Sequence, residues 1–285
     1  MCRFLAYKGA PITLDKLLYQ PKNSLIRQSY KAQERPEPLN GDGFGVGWYV
    51  QELDPEPAVF VSTTPAWNNR NLRYNAPKLR SNCIFAHVRA ASVGDVSEAN
   101  CHPFHYKQFL FMHNGNIGGF HAIKRHLRSR LSDELYNSIQ GQTDSEHFFA
   151  LFLNNLLQQK TAKSASDAVA ALETTIAELK EITSQNGIKE PTHLNVVLTE
   201  GNWMVASRYV TDPALMPPTL YHSEGSHFEC ENGVCRMHRT DPAEHAVLIV
   251  SEKLTEAQED WHKVPPNHAV VVSDDLAVSV LPIST

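Results

Sequence analysis

The chain has 285 residues, of which 42% are hydrophobic and 20% charged, and this is the composition of an ordinary globular protein. Its net charge of −5 leaves no basic excess, which argues against nucleic acid or an anionic membrane surface as a partner. The N-terminus lacks the long apolar region of a signal peptide, and the longest apolar runs are far too short to span a bilayer. We therefore expect a cytoplasmic protein without a nucleic-acid or membrane partner.

The predicted elements follow one another as strands, then helices, then strands. Short β-branched and aromatic runs bounded by Pro, Gly and Asn predict the strands. They cover residues 2–8, 43–50, 58–63, 83–88 and 108–113, and later residues 194–199, 203–209, 246–251, 269–273 and 277–281. Short turns between most of these runs favour the α+β class with antiparallel sheets.

Two helices are predicted between the two groups of strands. Thr143 and Glu146 have the spacing of a capping box, and apolar residues then recur on one helix face as far as Leu156. A second amphipathic pattern covers residues 166–184, and Gly187 ends it. Because no linker forces a domain boundary, we expect one domain over residues 2–285.

Cys2 is the first candidate for chemistry. If Met1 is removed, Cys2 carries both a thiol and a free α-amine, whose usual pKa of about 7.7–8.0 lets it accept the thiol proton near neutrality. An N-terminal nucleophile activated by its own amine is an established arrangement. Arg3 would add positive charge, but the period of a strand directs its side chain to the opposite face. The alternative is that cysteine at position 2 is accidental.

Three further segments carry residues suited to a binding site. Arg89 ends an apolar run, and its guanidinium suits a substrate carboxylate. Asn114 and Gly115 offer a side-chain amide and a backbone N–H for an oxyanion hole, although Asn-Gly is also a common hairpin turn. Asp144 begins a helix, where it either complements the helix dipole or holds a substrate ammonium group.

With these segments the sequence resembles the class II glutamine amidotransferases, which belong to the N-terminal nucleophile hydrolases. The matching motifs occur in the family's order over roughly the first 150 residues. They are Met-Cys at the start, Asn40-Gly-Asp-Gly-Phe-Gly45, Ala86-His-Val-Arg89, Asn100 to Phe104, His113-Asn-Gly-Asn116 and Thr143-Asp144.

The resemblance implies a four-layer αββα sandwich, which the remainder of the chain completes. It implies Cys2 as nucleophile, with Asn114 and Gly115 as the oxyanion hole. It also implies that Arg89 holds the substrate α-carboxylate and Asp144 the α-amine. Ser92 and His113 join the expected substrate-binding residues, Ser92 because the family often carries a hydroxyl at that position. No cofactor and no metal are expected at this site.

The opening Met-Cys-Arg, the glycine-rich run of residues 41–48 and Ser251-Glu-Lys-Leu254 are similar to a small stand-alone subgroup. That subgroup includes γ-glutamyl hydrolases of ergothioneine synthesis and glutathione breakdown, some of which work in complexes. The resemblance thus implies hydrolysis of a small γ-glutamyl substrate, with a partner subunit left open. The alternative within the family is a glutaminase subunit that passes ammonia to a separate synthase.

A third hypothesis, from another class, is a metal- or redox-binding protein. It depends on His227, Cys230, Cys235 and His238, whose spacing includes Cys/His pairs. The same residues also fit a hairpin that turns at Asn232-Gly233 and places Cys230 opposite Cys235, with Cα atoms about 4.5 Å apart. The hairpin is the favoured interpretation. Since five cysteines without an export signal argue against a disulfide framework, we expect a dithiol there.

Overall fold

Antiparallel strands form the centre of the computed structural model, which describes residues 2–34, 37–158, 164–231, 234–240 and 244–285. In chain order the strands are β1 (Arg3–Thr13), β2 (Phe44–Val50), β3 (Asp54–Ser62), β4 (Arg80–Val88), β5 (Phe104–Tyr106), β6 (Phe109–Asn116), β7 (His193–Thr199), β8 (Met204–Val210), β9 (Tyr221–Gly225), β10 (His227–Glu231), β11 (Val234–His238), β12 (Ala246–Val250), β13 (His262–Lys263), β14 (His268–Val272) and β15 (Val278–Pro282). Short helices α1 (Leu14–Leu18), α2 (Leu25–Lys31) and α3 (Arg70–Asn75) lie in the first third, and α4 (Phe120–Arg128), α5 (Asp133–Ser138), α6 (Asp144–Leu157) and α7 (Ala165–Gln185) in the middle.

The strands form two large sheets and a small ribbon. The first sheet has the order β13-β9-β12-β1-β4-β2-β3, and the second has the order β15-β14-β8-β7-β6-β5. Among the described strands, β10 and β11 pair only with each other. Strand β1 lies inside the first sheet, where it pairs antiparallel with β12 on one side and β4 on the other.

Three apolar clusters divide the molecule into layers. One cluster, with Phe4, Phe85 and Met112, fills the space between the two sheets. A second packs the short N-terminal helices and the β10–β11 ribbon on the outer face of the first sheet. A third packs α4, α6 and α7 on the outer face of the second sheet. The predicted α+β class and the four-layer αββα sandwich are therefore confirmed.

Most predicted elements are present, and the differences have local causes. Strand β6 continues through Asn114 and Gly115 to Asn116, so the hairpin alternative for the Asn-Gly pair is wrong. Thr143 caps α6 by accepting from the Glu146 backbone N–H, but the Glu146 carboxylate accepts from residues 140 and 141 instead of closing a capping box. Sequence reasoning missed α1 to α5, which have five to nine residues and so show little periodicity. Among the described helices, none is both long and apolar enough to cross a membrane.

The β10–β11 ribbon has the predicted register, with Cys230 directly opposite Cys235 and their Cα atoms 4.0 Å apart. The two sulfurs form a disulfide, so the expectation of a dithiol at this pair is not met. Because both sulfurs are in the disulfide, neither can be a ligand in the zinc site suggested by the spacing of His227, Cys230, Cys235 and His238. The predicted turn, residues 232–233, lies outside the described residues.

A buried ion pair fixes the start of the central strand. The Arg3 Nε donates to Glu252 Oε2 at 2.8 Å, and both side chains are 2% exposed. The same carboxylate accepts from the Asn23 side chain and from the backbone N–H groups of residues 33 and 34. Glu252 thus joins the beginning of β1 to the α2 region and to the segment after β12.

Removing the buried carboxylate should destabilise the fold strongly. We expect Glu252→Ala to lower the free energy of unfolding by about 3–5 kcal/mol, because it leaves the Arg3 charge buried without its partner. The matched control is Glu256→Ala, which breaks the Lys22–Glu256 pair of the same 2.8 Å length but with side chains 65% and 79% exposed. That exposed pair should contribute less than about 1 kcal/mol. Urea denaturation measures both variants, and equal losses would contradict the assignment.

Two imidazole rings are buried together between the sheets. The rings of His87 and His102 stack with centroids 4.2 Å apart, and neither residue is more than 3% exposed. Within the described part of the chain, neither ring nitrogen of His102 has a hydrogen-bond partner. Burial lowers the pKa of His87 to about 3 and that of His102 well below its usual value, so both rings are neutral at pH 7.

This pair should make the fold sensitive to mild acid. Histidines in the unfolded chain bind protons below their pKa of about 6.5, whereas the two buried rings stay neutral at these pH values. Protonation therefore favours the unfolded state, and the stability that is present above pH 6.5 decreases below it. We expect the free energy of unfolding to fall by up to about 1.4 kcal/mol per pH unit for each histidine between about pH 6.5 and pH 5. Urea denaturation across this range tests it. His102→Phe should reduce the slope by one histidine's share, whereas His121→Phe at an exposed position should not change it.

Candidate active site

Cys2 lies immediately before the central strand. It is two residues from Phe4, whose side chain packs between the two sheets. Because side chains alternate along a strand, the thiol belongs to the inner side of the first sheet. The Ala90 N–H donates to the thiol sulfur at 3.4 Å, and the sulfur lies 3.5 Å from the Ala90 carbonyl oxygen. Arg3 extends to the opposite face toward Glu252, as the strand period predicted.

Arg89 follows the end of β4 and lies next in the chain to the residue that contacts the thiol. Its side chain is almost fully buried, with the residue 3% exposed. Its Nη1 donates to the Asp95 carbonyl at 3.0 Å and its Nη2 to the Val93 carbonyl at 3.1 Å. The guanidinium therefore holds the loop of residues 90–97 folded over the end of β4. Ser92 lies exposed in that loop.

The glycine-rich segment before β2 positions the backbone around Arg89. The Asp42 N–H donates to the Arg89 carbonyl, the Arg89 N–H donates to the Gly43 carbonyl, and the Asp42 carboxylate accepts from the Ala91 N–H at 2.8 Å. Gly43 has φ of +119°, and a Cβ there would lie 2.6 Å from the Cys101 sulfur. Sequence reasoning gave no role to Asp42, although an acidic residue between two glycines was visible in the motif.

Asn114 and Gly115 lie in β6 of the second sheet. Asn114 is 0% exposed, and neither its Oδ1 nor its Nδ2 has a hydrogen-bond partner among the residues that the structure describes. A buried carboxamide without partners carries a desolvation cost, so its presence calls for a ligand or a catalytic role. At Gly115 a Cβ would lie 2.0 Å from the His193 carbonyl oxygen, so the close approach of β6 and β7 requires glycine there.

His113 links the two sheets and is held entirely by protein groups. Its carbonyl lies 3.3 Å from Nε2 of the His87 ring in the opposite sheet. Its own Nε2 lies 2.9 Å from the His193 carbonyl and its Nδ1 2.9 Å from the Ser145 hydroxyl. Burial lowers the pKa of His113 against the opposing effect of the Asp144 charge, which favours a neutral ring. A carbonyl partner requires the proton on Nε2, and the Ser145 hydroxyl then donates to Nδ1.

Asp144 is the first residue of α6 and is 3% exposed. Its Oδ2 accepts from the Ile117 N–H at 2.8 Å and its Oδ1 from the Ser145 N–H at 2.9 Å. These bonds fix the carboxylate at the end of β6, just beyond Asn114 and Gly115.

Hydrogen bonds also connect this carboxylate region to Arg89. The Asp95 N–H donates to the Gln142 side chain at 3.3 Å, and Asn100 bonds both to the Asp95 carbonyl and to the Gln142 N–H. Asn100 therefore ties the loop that Arg89 holds to the segment that precedes α6. The structure brings Cys2, Arg89, Asn114, Gly115 and Asp144 to segments joined by direct contacts. Both ring nitrogens of His113 are in hydrogen bonds with protein groups, so its ring is not free to contact a substrate. Ser92 is exposed and does not belong to the buried residues of the site.

Comparison with known proteins identifies the family. A family model described as glutamine amidotransferases class-II matches residues 25–284. The probable glutamine amidotransferase DUG3 of Saccharomyces cerevisiae is 42% identical over 293 residues, which cover 95% of this chain and 82% of the yeast protein. The γ-glutamyl-hercynylcysteine sulfoxide hydrolase of Mycobacterium tuberculosis is 37% identical over 119 residues, which cover 41% of this chain and 50% of the mycobacterial protein.

A solved structure extends the likeness over the whole fold. The glutamine aminotransferase class-II domain protein from Silicibacter pomeroyi is 26% identical, covers all of both chains and has a TM-score of 0.68. Together with the family model and the yeast relative, this similarity includes both sheets as well as the motif-bearing first half. The chain belongs to the class II glutamine amidotransferases.

Proposed function

We propose that the protein hydrolyses a γ-glutamyl amide bond through a thioester on Cys2 and releases glutamate. The observation that carries this proposal is the buried, unpartnered carboxamide of Asn114 beside Gly115, in a strand tied to the end of β4 through the His87–His113 contact. A protein gains no stability from such a group. An oxyanion that forms only during the reaction would give it a partner.

The reaction begins with the mature N-terminus. Removal of Met1 leaves the Cys2 α-amine free to accept the thiol proton, and the thiolate attacks the γ-carbonyl carbon. The Asn114 Nδ2 and the Gly115 N–H donate to the oxyanion of the tetrahedral intermediate. The α-amine then returns the proton to the leaving nitrogen, and the C–N bond breaks. Water attacks the thioester, and glutamate leaves as the thiol is restored.

The glutamyl end of the substrate is a zwitterion, and opposite charges are available for it. Arg89 would hold the α-carboxylate and Asp144 the α-amine. The guanidinium has five N–H donors, and the loop carbonyls accept from only its two terminal nitrogens, so donors remain for a carboxylate. His113 would act indirectly by fixing the backbone of Asn114 and Gly115, and Ser92 would reach the carboxylate only if its loop closes on the substrate.

The group that leaves the γ-carbonyl carbon distinguishes the two candidate functions within the family. Support for a γ-glutamyl conjugate larger than glutamine comes from the mycobacterial relative, whose name describes hydrolysis of γ-glutamyl-hercynylcysteine sulfoxide. The name of the yeast relative, a probable glutamine amidotransferase, supports the other candidate, which is ammonia transfer to a separate synthase. We place one domain over residues 2–285 in either case, and a partner subunit is compatible with both.

The carboxamide of Asn114 should contribute to activity without contributing to stability. We expect Asn114→Leu to lower kcat by about 10²–10³, because one oxyanion donor is lost. The free energy of unfolding should stay equal or rise, since no hydrogen bond is broken. The matched control is Asn195→Leu at the facing position of β7. Its side chain donates to the carbonyls of residues 218 and 219, so stability should fall by about 1–3 kcal/mol.

Kinetic assays and urea denaturation on the same preparations separate the two effects. An Asn114→Leu variant that keeps wild-type kcat would remove Asn114 from the oxyanion hole. A large loss of stability in that variant would instead show that the side chain has a structural partner.

Substrate preference tests the function itself. Processed protein should be assayed with glutamine, glutathione and a second γ-glutamyl amide, and we expect at least one larger substrate to exceed glutamine tenfold in kcat/KM, which corresponds to about 1.4 kcal/mol. Intact-mass measurement should show Met1 absent from the active species. Cys2→Ser should fold normally and lose most activity.

The outcomes distinguish the candidates. If glutamine is the best substrate and a synthase encoded nearby accelerates its hydrolysis, ammonia transfer replaces the hydrolase proposal. Full activity with Met1 retained would exclude the α-amine as the base, and wild-type turnover by Cys2→Ser would exclude the nucleophile.

A further inference from the structure

The outer face of the β10–β11 ribbon carries a set of side chains that the amidohydrolase site does not use. His227 and His238 are direct partners across the ribbon, and their rings stack with centroids 4.9 Å apart. Glu229 lies two residues beyond His227 and therefore on the same face. The opposite face of the ribbon packs on the first sheet through Phe228 and the disulfide partner Cys235. The polar face and the apolar face of this ribbon are thus cleanly separated.

The three polar side chains bring their ligand atoms together. One atom from each of His227, Glu229 and His238 lies within 4.8 Å of the others, and His227 Nε2 is 3.6 Å from Glu229 Oε2. Zinc bound tetrahedrally at about 2.0–2.1 Å from each ligand separates neighbouring ligand atoms by about 3.3 Å. Zinc binding would therefore require side-chain rotations that bring the three ligand atoms closer together. In the part of the chain that the structure describes, this is the one cluster of three His, Cys, Asp or Glu residues with such spacing.

A second carboxylate stands on the far side of one imidazole. The other ring nitrogen of His227, Nδ1, lies 3.7 Å from Glu244 Oε2. Histidines that bind a metal usually donate their second ring N–H to a carboxylate, which fixes the tautomer and strengthens the ligand. Glu244 therefore lies on the side of His227 from which a small movement would let it accept the second ring N–H when Nε2 binds a metal.

The ribbon is far from the candidate active site. A cavity of about 450 Å³ lies beside His227 and Glu229 and is also lined by residues 10–13 of β1. Cys2 precedes the other end of the same strand, eight residues from position 10, so the two sites are roughly 25 Å apart.

Three protein ligands leave a fourth metal position open, and the cavity provides room for a water or a small ligand there.

We infer that His227, Glu229 and His238 form a zinc-binding site, with Glu244 orienting His227. Two imidazoles and one carboxylate are a donor set that zinc accepts, whereas calcium and magnesium prefer oxygen ligands. The disulfide between Cys230 and Cys235 holds the two strands in the register that pairs the histidines. The ribbon is thus cross-linked on one face and offers metal ligands on the other.

Zinc titration of the full chain tests the site. The Cys2→Ala background removes the active-site thiol as a competing ligand, and calorimetry with zinc chloride should show one ion bound per chain. His227→Gln and His238→Gln should each weaken binding by about a hundredfold or more, and Glu244→Gln by about tenfold. The matched control is Glu231→Gln, which changes an exposed carboxylate on the same strand face outside the cluster and should not change the affinity.

X-ray absorption of the zinc-loaded protein gives a measurement that does not depend on the variants. We expect nitrogen and oxygen neighbours at about 2.0–2.1 Å with no sulfur shell. The site is excluded if the Cys2→Ala protein binds no zinc at millimolar concentration, if both histidine variants bind zinc as tightly as their parent, or if sulfur dominates the coordination. Hydrolysis of γ-glutamyl substrates should be unaffected by His227→Gln made in the protein that retains Cys2, so failure of this proposal and failure of the proposed function give different results.

Discussion

The position of the first few residues depends on a charge pair that the fold buries completely. Arg3 and Glu252 come from opposite ends of the chain, and their contact joins the start of β1 to the segment after β12. The backbone of Phe4 adds a second link, because its N–H donates to the Ser251 hydroxyl at 2.9 Å. An N-terminus is ordinarily the least ordered part of a protein. Here Arg3 is held by the buried ion pair and Phe4 by the hydrogen bond to Ser251, so the residues that follow Cys2 are fixed, as the proposed role of its thiol requires.

The same demand for a fixed geometry explains why polar side chains fill the space between the sheets near the site. His87 and His113 connect strands of opposite sheets, and Asn114 follows in the same strand. Buried imidazoles without charge and a carboxamide without partners lower the stability of the fold. The apolar clusters on both outer faces of the sheets offset that cost. The molecule therefore concentrates its unfavourable polar burial where the chemistry is proposed and stabilises itself elsewhere.

The loop after β4 illustrates how several motifs act together. Arg89 holds the carbonyls of residues 93–95, Asp42 holds the backbone of Ala91, and Asn100 joins the loop to the segment before α6. Each motif is weak evidence when read alone along the sequence. In the structure they are joined by hydrogen bonds that run from the Asp42 segment through the loop of residues 90–97 to the segment before α6, and Ala90 of that loop contacts the Cys2 thiol.

The sequence by itself determined what depends on short-range periodicity and residue chemistry. The alternation of β1 placed Cys2 and Arg3 on opposite faces, Thr143 marked the start of α6, and the long periodic pattern located α7 within a residue at each end. The ordered set of motifs also indicated the family, by their resemblance to those of the class II glutamine amidotransferases. These inferences required no knowledge of which strands become neighbours.

Tertiary structure alone decided everything that depends on contacts between distant segments. The partner of Arg3 lies 249 positions away, and no local pattern identifies it. The Asn-Gly pair continues a strand instead of turning because β7 pairs along it, and the lack of a partner for Asn114 is visible only once its surroundings are complete. In the ribbon the sequence had already favoured the register that places Cys230 opposite Cys235, but only the tertiary structure joined their sulfurs and brought Glu244 to His227. Strand alternation follows from a local pattern, whereas these contacts depend on how the strands and the following segment pack together.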